Sequence, residues 1–132
     1  FRVAIFNKVN YSKSALSKEN FNDATLAQAI LTKDRGNDAS VTNTDLSQRD
    51  ASEANFERAK LDGADFSKAN LERTVFSHAQ GAQANFNEAN LSQANFSQAV
   101  LEAADFTATG LNQARFENCE LLESRFAGAS GE

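Results

Sequence analysis

The sequence predicts an all-β protein whose chain winds into a coil of short extended segments, with about twenty residues in each coil. Two patterns and one absence predict this fold. Large apolar residues recur at every fifth position, small residues stand two positions before them, and the 132-residue chain contains no proline. Proline would interrupt backbone pairing between successive coils, so its absence fits a chain that pairs along its length.

The five-residue repeat is clearest in residues 84–106. Its large apolar positions, which we call position i, are Phe86, Leu91, Phe96, Leu101 and Phe106, and an alanine stands at each preceding position i−2. The same register extends from residue 6 to residue 126 without an insertion. A disordered chain has no reason to keep this count, so we predict one folded domain over residues 1–132.

This spacing excludes a simple helix and a flat strand. In a helix, successive i positions would point about 140° apart, and no apolar face would form. In a flat strand, positions i−2 and i share a face, but the next small residue falls on the other face. A short extended unit followed by a corner keeps both positions inward, because the corner takes up the odd residue.

Charge pairing favours twenty residues in each coil. If residue n lies under residue n+20, the charged side chains form six stacks of opposite sign and two of like sign, which is the balance that cross-strand pairing favours. The opposite-sign stacks are Lys18–Asp38, Asp38–Arg58, Lys33–Glu53, Glu53–Arg73, Lys68–Glu88 and Asp105–Arg125, and the like-sign stacks are Lys13–Lys33 and Asp45–Asp65. The same register predicts two phenylalanine columns, Phe56, Phe76, Phe96 and Phe116 facing Phe66, Phe86, Phe106 and Phe126, with leucines in the other two walls.

The composition narrows the classes of partner and compartment. Thirteen basic residues against eighteen acidic ones give a formal charge of −5, which disfavours direct nucleic-acid binding because such proteins show a clustered basic face. No apolar run approaches the ~20 residues of a membrane span. The chain begins with Phe1. We expect a cytoplasmic location if it is an excised domain, and export or an organelle lumen if the missing Met reflects processing.

Several units carry a family resemblance. Ala64-Asp65-Phe66, Ala69-Asn70-Leu71 and Ala94-Asn95-Phe96 resemble the motif of the pentapeptide-repeat family, closely over residues 54–129 and more loosely over the less regular residues 1–53. The resemblance implies a right-handed, quadrilateral β-helix, and the handedness rests on the resemblance alone. Functions in this family are diverse. Some members protect DNA gyrase from quinolones by resembling duplex DNA, and others occur in cyanobacteria, in the chloroplast lumen or among bacterial effectors.

Some positions depart from the repeat. Gly36 and Gly81 stand where a large residue is expected, and Arg49 and Ala51 replace a small and a large residue. We interpret these departures as local irregularity, either a bulge or a gap filled by a neighbour. The alternative is a loop or bent coil that receives a partner.

The chain offers little for catalysis. His78, the single histidine, falls at an outward position, and Cys119, the single cysteine, falls at position i−2, where a small core residue is expected. Neither has a partner for a nucleophile–base pair or a zinc site. A coil filled by side chains offers no pocket that would separate two carboxyl pKa values. We therefore predict no enzyme activity, no catalytic residue, no metal site and no cofactor.

Carboxylates give the most plausible binding surface. We predict an acidic patch formed by Asp45, Asp62, Asp65, Glu102 and Asp105. A structural role competes with this interpretation, because Asp and Asn side chains stacked in columns, such as those at 50, 70 and 90, stabilise one another by amide hydrogen bonds. We favour the structural role.

The leading functional hypothesis is a rigid, non-catalytic module that binds another protein or has a structural role. The first alternative is a DNA mimic that binds DNA gyrase or another topoisomerase. Duplex DNA as long as this coil, roughly 30 Å, carries about 18 negative charges, whereas residues 76–132 carry seven acidic and two basic residues and residues 1–75 are balanced. A second alternative is a subunit of a larger assembly, for example a photosynthetic one.

The ends of the coil predict association. A coil of this kind leaves unpaired backbone groups on its last winding, and open edges invite pairing. The tail after Phe126 is short and glycine-rich, and Leu122 stands at an outward position that is usually polar in this chain. We therefore expect Leu121, Leu122 and Phe126 to be covered either by a second copy, as a homodimer or larger assembly, or by the rest of a longer protein.

Overall fold

A computed structural model describes residues 39–131 of the chain. This part contains no helix and no continuous strand. Its coils are joined by isolated parallel β-bridges at every fifth residue, from Ser40–Lys60 to Gly110–Ser130, and each bridge joins residue n to residue n+20. The bridges confirm the predicted twenty residues in each coil, and the right-handedness implied by the resemblance remains a prediction.

Backbone hydrogen bonds between coils hold each five-residue unit in place. In the unit centred on Phe96, the Phe96 N–H donates to the Arg115 carbonyl at 2.7 Å and the Gln98 N–H donates to the Glu117 carbonyl at 2.8 Å. The Asn95 N–H donates to the preceding coil, at the carbonyl of Thr74, at 3.0 Å. Each interior unit is thus bonded to the coil on either side.

A tight turn forms the corner of every unit. The Ala99 N–H donates to the Phe96 carbonyl at 2.9 Å, and Gln98, at position i+2, has a φ of +62°. Since the residue at i+1 is outside the positive-φ set, this is a type II turn. The same positive φ recurs at every i+2 position from Asn43 to Gly128, at sixteen non-glycine residues and two glycines.

Four units complete one coil, so the units form four stacks. The first stack contains residues 39–43, 59–63, 79–83, 99–103 and 119–123. The second contains residues 44–48, 64–68, 84–88, 104–108 and 124–128. The third contains residues 49–53, 69–73, 89–93 and 109–113, and the fourth contains residues 54–58, 74–78, 94–98 and 114–118.

The core consists of the inward positions i and i−2, as predicted. The phenylalanines at 66, 76, 86, 96 and 106 are fully buried. Rings of one column stack with centroids 4.7 to 5.5 Å apart. Rings of the two facing columns meet edge to face at 5.5 to 6.0 Å. Both arrangements are favourable for aromatic rings, and together they fill the axis of the coil.

Gly81 shows how the repeat tolerates a missing side chain. The unit keeps its turn, with the Ala84 N–H donating to the Gly81 carbonyl at 3.1 Å, so the chain contains no bulge here. A Cβ added at Gly81 would lie 2.9 Å from Cδ2 of Leu101 and 3.5 Å from Cβ of Leu61. Leu101 from the next coil therefore fills the gap. Of the two irregularities that the sequence analysis offered, a bulge or a gap filled by a neighbour, the second is present at Gly81.

Arg49 is accommodated differently. Its side chain is buried, with 8% exposure, and its Nε–H donates to the Ser47 carbonyl at 2.6 Å. Burial lowers the pKa of Arg49, and the nearby carboxylate of Asp45 opposes that shift. Ala51, in the same unit, is also buried. In this unit the large side chain is at position i−2 and the small one at position i, the reverse of the usual order.

Two of the predicted charge stacks are ion pairs. Lys68 Nζ lies 3.8 Å from Glu88, and Arg73 lies 3.6 Å from Glu53. The stacks that include Lys13, Lys18, Lys33 or Asp38, and the departure at Gly36, lie outside residues 39–131.

Candidate interaction surface

The interior of the described coils is filled by side chains, so the groups that a ligand could reach lie on the outer surface. A shallow surface depression of about 340 Å³ is lined by Ser92, Gln93, Asn112 and Gln113. Its lining carries amides and a hydroxyl but no carboxylate, imidazole or thiol, so it offers no group that could serve as a general base or a nucleophile.

His78 and Cys119, the single histidine and the single cysteine, lie in different environments. His78 is exposed at a turn of the fourth stack. Cys119 points inward in the first stack, where its thiol donates to the carbonyl of Phe96 at 2.7 Å. Cys119 is partly exposed rather than fully buried, because it belongs to the last described coil. Burial of its thiol raises the pKa of Cys119, which keeps it protonated and weakly reactive.

Three of the predicted acidic residues share one outward column of the second stack. Asp45 is bridged to Asp65, Asp65 to Asn85 and Asn85 to Asp105. Asp45 and Asp65 are therefore direct neighbours, whereas Asn85 separates Asp65 from Asp105. The repulsion between the carboxylates of Asp45 and Asp65 is reduced because the Asn85 amide donates to Asp65 Oδ1 at 3.0 Å.

These carboxylates also hold the turn that follows them. The backbone N–H of Ser47 donates to Asp45 Oδ1 at 3.0 Å, and the N–H of Ser67 donates to Asp65 Oδ1 at 2.9 Å. Such bonds from the residue two positions on are Asx turns. The carboxylates of this column therefore hold the turns of their own units, and a binding role for the column stays a prediction.

The surroundings of Asp105 stabilise the ionised form of its carboxyl group. Hydrogen bonds from the hydroxyl and the backbone N–H of Thr107 lower the pKa of Asp105 against the opposing effect of burial, and the positive charge of Arg125 lowers it further. The backbone bond is 2.9 Å long. Asp105 is thus held in its charged form.

The other two predicted acidic residues lie in the first stack. Asp62 Oδ1 accepts the N–H of Ala82 at 2.9 Å, and Glu102 is exposed. Ala82 lies in the coil between them, so the structure does not bring Asp62 and Glu102 together. The five predicted residues form two interrupted columns around one corner rather than one continuous patch.

The C-terminal apolar residues differ in what they expose. Leu122 is 67% exposed and Phe126 is 38% exposed, while Leu121 is partly buried against the core. Phe126 stacks on Phe106 with centroids 4.8 Å apart. Within the described part of the chain, the N–H groups of Leu121, Glu123 and Phe126 donate no hydrogen bond, so this edge of the coil is open in the structure.

Sequence reasoning missed the surroundings of Leu122. The outward residues next to it in the first stack are Val100, Glu102, Glu120 and Glu123. Their adjacency follows from the twenty-residue register once positions i−1, i+1 and i+2 are all treated as outward, so the signal was present in the sequence.

Two absences apply to residues 39–131. No helix in this range is long and apolar enough to cross a membrane. Nor does the same range contain a group of three or more His, Cys, Asp or Glu side chains placed to hold a metal ion.

Comparison with solved structures identifies the fold. The full-length structure of QnrB1, a plasmid-mediated fluoroquinolone resistance protein, has a TM-score of 0.62 at 11% identity, over 100% of this chain and 93% of that chain. HetL, a pentapeptide repeat protein involved in the regulation of heterocyst differentiation in the cyanobacterium Nostoc sp. strain PCC 7120, has a TM-score of 0.52 at 18% identity, over 98% of this chain and 84% of that chain. Comparison with curated proteins gives no match.

A pentapeptide repeat protein from the thylakoid lumen of Arabidopsis thaliana has a TM-score of 0.58 at 24% identity. The alignment covers 79% of this chain, which spans 66% of the Arabidopsis chain. The family profile named pentapeptide repeat region matches residues 49–126, more than half of the sequence and most of the described coils. The chain therefore belongs to the pentapeptide-repeat family.

Proposed function

We propose that this chain is a rigid, non-catalytic interaction module that presents the outward side chains of its stacks to a protein partner. The observation that carries this proposal is the unbroken bonding between coils around an interior filled by side chains, such as Phe96, which has no exposed surface. Because such a surface is already ordered, little conformational entropy is lost when a partner binds.

The chemistry of the described side chains supports a non-catalytic role. Cys119 is hydrogen-bonded to a backbone carbonyl, and the acidic column of the second stack is engaged in Asx turns. Neither arrangement places a nucleophile beside a base. Binding through exposed side chains is the use that this geometry supports best.

The test is a comparison of four variants, each altered in the outward surface of one stack. Leu122→Ser, Asp65→Asn, Arg73→Gln and Arg115→Gln alter the first, second, third and fourth stacks. Proteins retained from cells of the source organism by the wild-type chain and by each variant are quantified by mass spectrometry. We expect a partner whose retention falls with one variant and not with the other three. Retention that is equal for all five proteins would contradict the proposal.

A DNA-mimicking partner of gyrase or another topoisomerase is the second candidate. The likeness to QnrB1 over the whole chain and the bridged carboxylates of Asp45 and Asp65 favour it. A net charge of −5 is small beside the about 18 charges of an equal length of duplex DNA. Gyrase supercoiling, measured with and without a quinolone, tests it. We expect the wild-type chain to protect gyrase from the quinolone and the Asp45→Asn/Asp65→Asn variant to have lost this protection. If the wild-type chain at micromolar concentration has no effect on supercoiling, the candidate is contradicted.

We further propose that Leu121, Leu122 and Phe126 form a self-association surface at the open edge of the last coil. The unpaired N–H groups at this edge and the exposed fraction of Phe126 support it. A second copy that pairs along the edge would satisfy these donors and cover the ring. If the chain is instead a subunit of a larger assembly, a different chain would cover the same edge.

A further inference from the structure

The outer surface of the first stack carries two exposed apolar side chains among carboxylates. Leu122 is 67% exposed and Val100 is 37% exposed. Val100 is bridged to Glu120, and the Ala103 N–H donates to the Leu122 carbonyl at 2.7 Å. Since neighbouring segments lie about 4.8 Å apart, Val100 and Leu122 are diagonal neighbours on one surface. We call this surface the Leu122 face.

Three carboxylates surround these apolar groups. Glu102 lies directly above Leu122 in the stack, while Glu120 and Glu123 lie on either side of it along the chain, and all three are exposed. None of them forms an ion pair within residues 39–131. Lys60, the one basic residue of this stack in that range, lies two coils away from Val100. The Leu122 face is therefore apolar at its centre and negatively charged at its rim.

We propose that the Leu122 face binds a segment of a different protein in which an apolar side chain is flanked by lysine or arginine. An apolar centre with a polar rim is the usual anatomy of a protein interface, and a charged rim selects a partner of opposite sign. The inference rests on the proposed function of an interaction module and names the chemistry of its partner.

Two Leu122 faces fit each other poorly, whereas the self-association proposed above pairs the open edges of the last described coil. Two such faces in contact would bring six carboxylates together, and like charges across an interface oppose binding. The described coils also lack a free basic surface to complement it, because five of their seven basic residues are buried or ion-paired. The five are Arg49, Arg58, Lys68, Arg73 and Arg115. Nucleic acid fits no better, because phosphates and these carboxylates repel each other.

Synthetic peptides test the proposal directly. The probe is a twelve-residue peptide with two central leucines flanked by lysines. One comparison peptide replaces the leucines with serines at the same charge, and the other replaces the lysines with glutamates. Binding to the 132-residue chain is measured by titration at two salt concentrations, and the site is located by amide chemical shifts. We expect saturable binding of the leucine–lysine peptide, with shifts concentrated around Val100 and Leu122.

Variants separate the apolar contribution from the charge. Leu122→Ser should weaken binding about tenfold, and Leu122→Met, which stays apolar, should restore most of it. The Glu120→Gln/Glu123→Gln double variant should weaken binding mainly at low salt, because rim charges are screened by ions. Glu53→Gln/Glu72→Gln removes the same charge from the third stack and should leave binding unchanged.

Several results would overturn the proposal. The serine peptide could bind as tightly as the leucine–lysine peptide, or the Glu53→Gln/Glu72→Gln variant could lose as much binding as the Glu120→Gln/Glu123→Gln variant. The chemical-shift changes could lie outside the first stack, or the leucine–lysine peptide could show no saturable binding. If the retention of a cellular partner depends on a stack other than the first, the chain is still an interaction module, but its binding surface is not the Leu122 face. A failure of both experiments would remove the proposed function as well.

Discussion

At the scale of single residues, the repeat depends on a backbone conformation that most side chains disfavour. Sixteen non-glycine residues adopt positive φ at the i+2 position of their turn. The left-handed region costs an L-residue roughly 1–2 kcal/mol, so each such turn must be offset by the coil-to-coil bonding and the core that it positions. The unit is stable because its neighbours hold it, not because its own turn is favourable.

Glycine at one of these positions should therefore stabilise the protein. His78 has a φ of +59° and is exposed. His78→Gly should raise the unfolding free energy by about 0.5–1 kcal/mol, since the relief of the left-handed conformation exceeds the added entropy of the unfolded chain. Ser77→Gly, in the same turn at a residue without positive φ, should lower it by a similar amount. Urea denaturation distinguishes the two, and a loss of stability in both variants would contradict the turn geometry.

The buried rings should carry much of the stability. Phe96 stacks on Phe76 at 4.7 Å and on Phe116 at 5.0 Å and has no exposed surface. Phe96→Ala should cost about 3–5 kcal/mol in urea denaturation. Phe126→Ala removes a ring that is 38% exposed and should cost clearly less. Equal costs would mean that the last coil is covered as completely as the middle of the column.

Asp105 should make stability depend on pH. Because the folded state lowers the pKa of Asp105 below its ordinary value of 3.8, its contribution is present above that value. The contribution is lost as the pH falls through the lower folded-state pKa. The difference in unfolding free energy between wild type and Asp105→Asn should therefore be constant near neutral pH and shrink below about pH 4. A difference that stays constant down to pH 2 would show that Asp105 is not preferentially ionised in the fold.

At the scale of the stack, packing is shared between coils rather than confined to one unit. Gly81 leaves a gap that Leu101 fills from the next coil, so the register survives a missing large side chain. The same sharing appears in the hydroxyl of Thr74, which donates to the Ala51 carbonyl in the preceding coil at 2.9 Å. The missing side chain at Gly81 is therefore compensated along a stack, where coils are in direct contact.

This sharing predicts coupling between Gly81 and Leu101. Gly81→Leu alone should destabilise the protein by about 1–3 kcal/mol, because the added side chain would overlap Cδ2 of Leu101. In the Gly81→Leu/Leu101→Ala variant the new side chain occupies the vacated space, so the combined cost should be smaller than the sum of the two single costs. Thermal or urea denaturation of the four proteins gives the cycle, and strict additivity would contradict the shared packing.

At the scale of the whole molecule, a coil built from identical units has no intrinsic end. Every interior unit bonds to two coils, while Leu121 and Phe126 have N–H groups without a partner in the described part of the chain. Open edges of paired backbone promote association. If the proposed self-association occurs, the last described coil is the part of the molecule through which it would take place.

Light scattering across a dilution series checks this expectation. The mean mass should fall with dilution toward that of the 14.3 kDa chain, and Leu122→Glu should shift the equilibrium toward the monomer by placing a charge beside the edge. Val100→Glu, one coil further from the edge, serves as the control and should have a smaller effect. A strictly monomeric wild-type chain, unaffected by Leu122→Glu, would exclude self-association through this edge.

The sequence by itself determined the repeat of five, the inward positions i and i−2, and the twenty residues in each coil. These are properties of pattern, because a period that fits neither helix nor strand leaves few ways to bury Phe86, Leu91 and Phe96 together. The columns of phenylalanine followed from that count, and the Lys68–Glu88 stack was among the pairs that indicated it. The structure confirms both.

The tertiary structure decided what the pattern left open. The corner is a type II turn even at residues that rarely adopt positive φ, such as Gln98 and Arg73. This follows from constraints imposed by both neighbouring coils, which no five-residue window contains. How Leu101 fills the gap at Gly81 depends on side-chain direction rather than on spacing. The exposure of Leu122 and of the carboxylates of Glu120 and Glu123 beside it also came only from the structure, because the register fixes which residues are neighbours but not how much of each side chain reaches solvent.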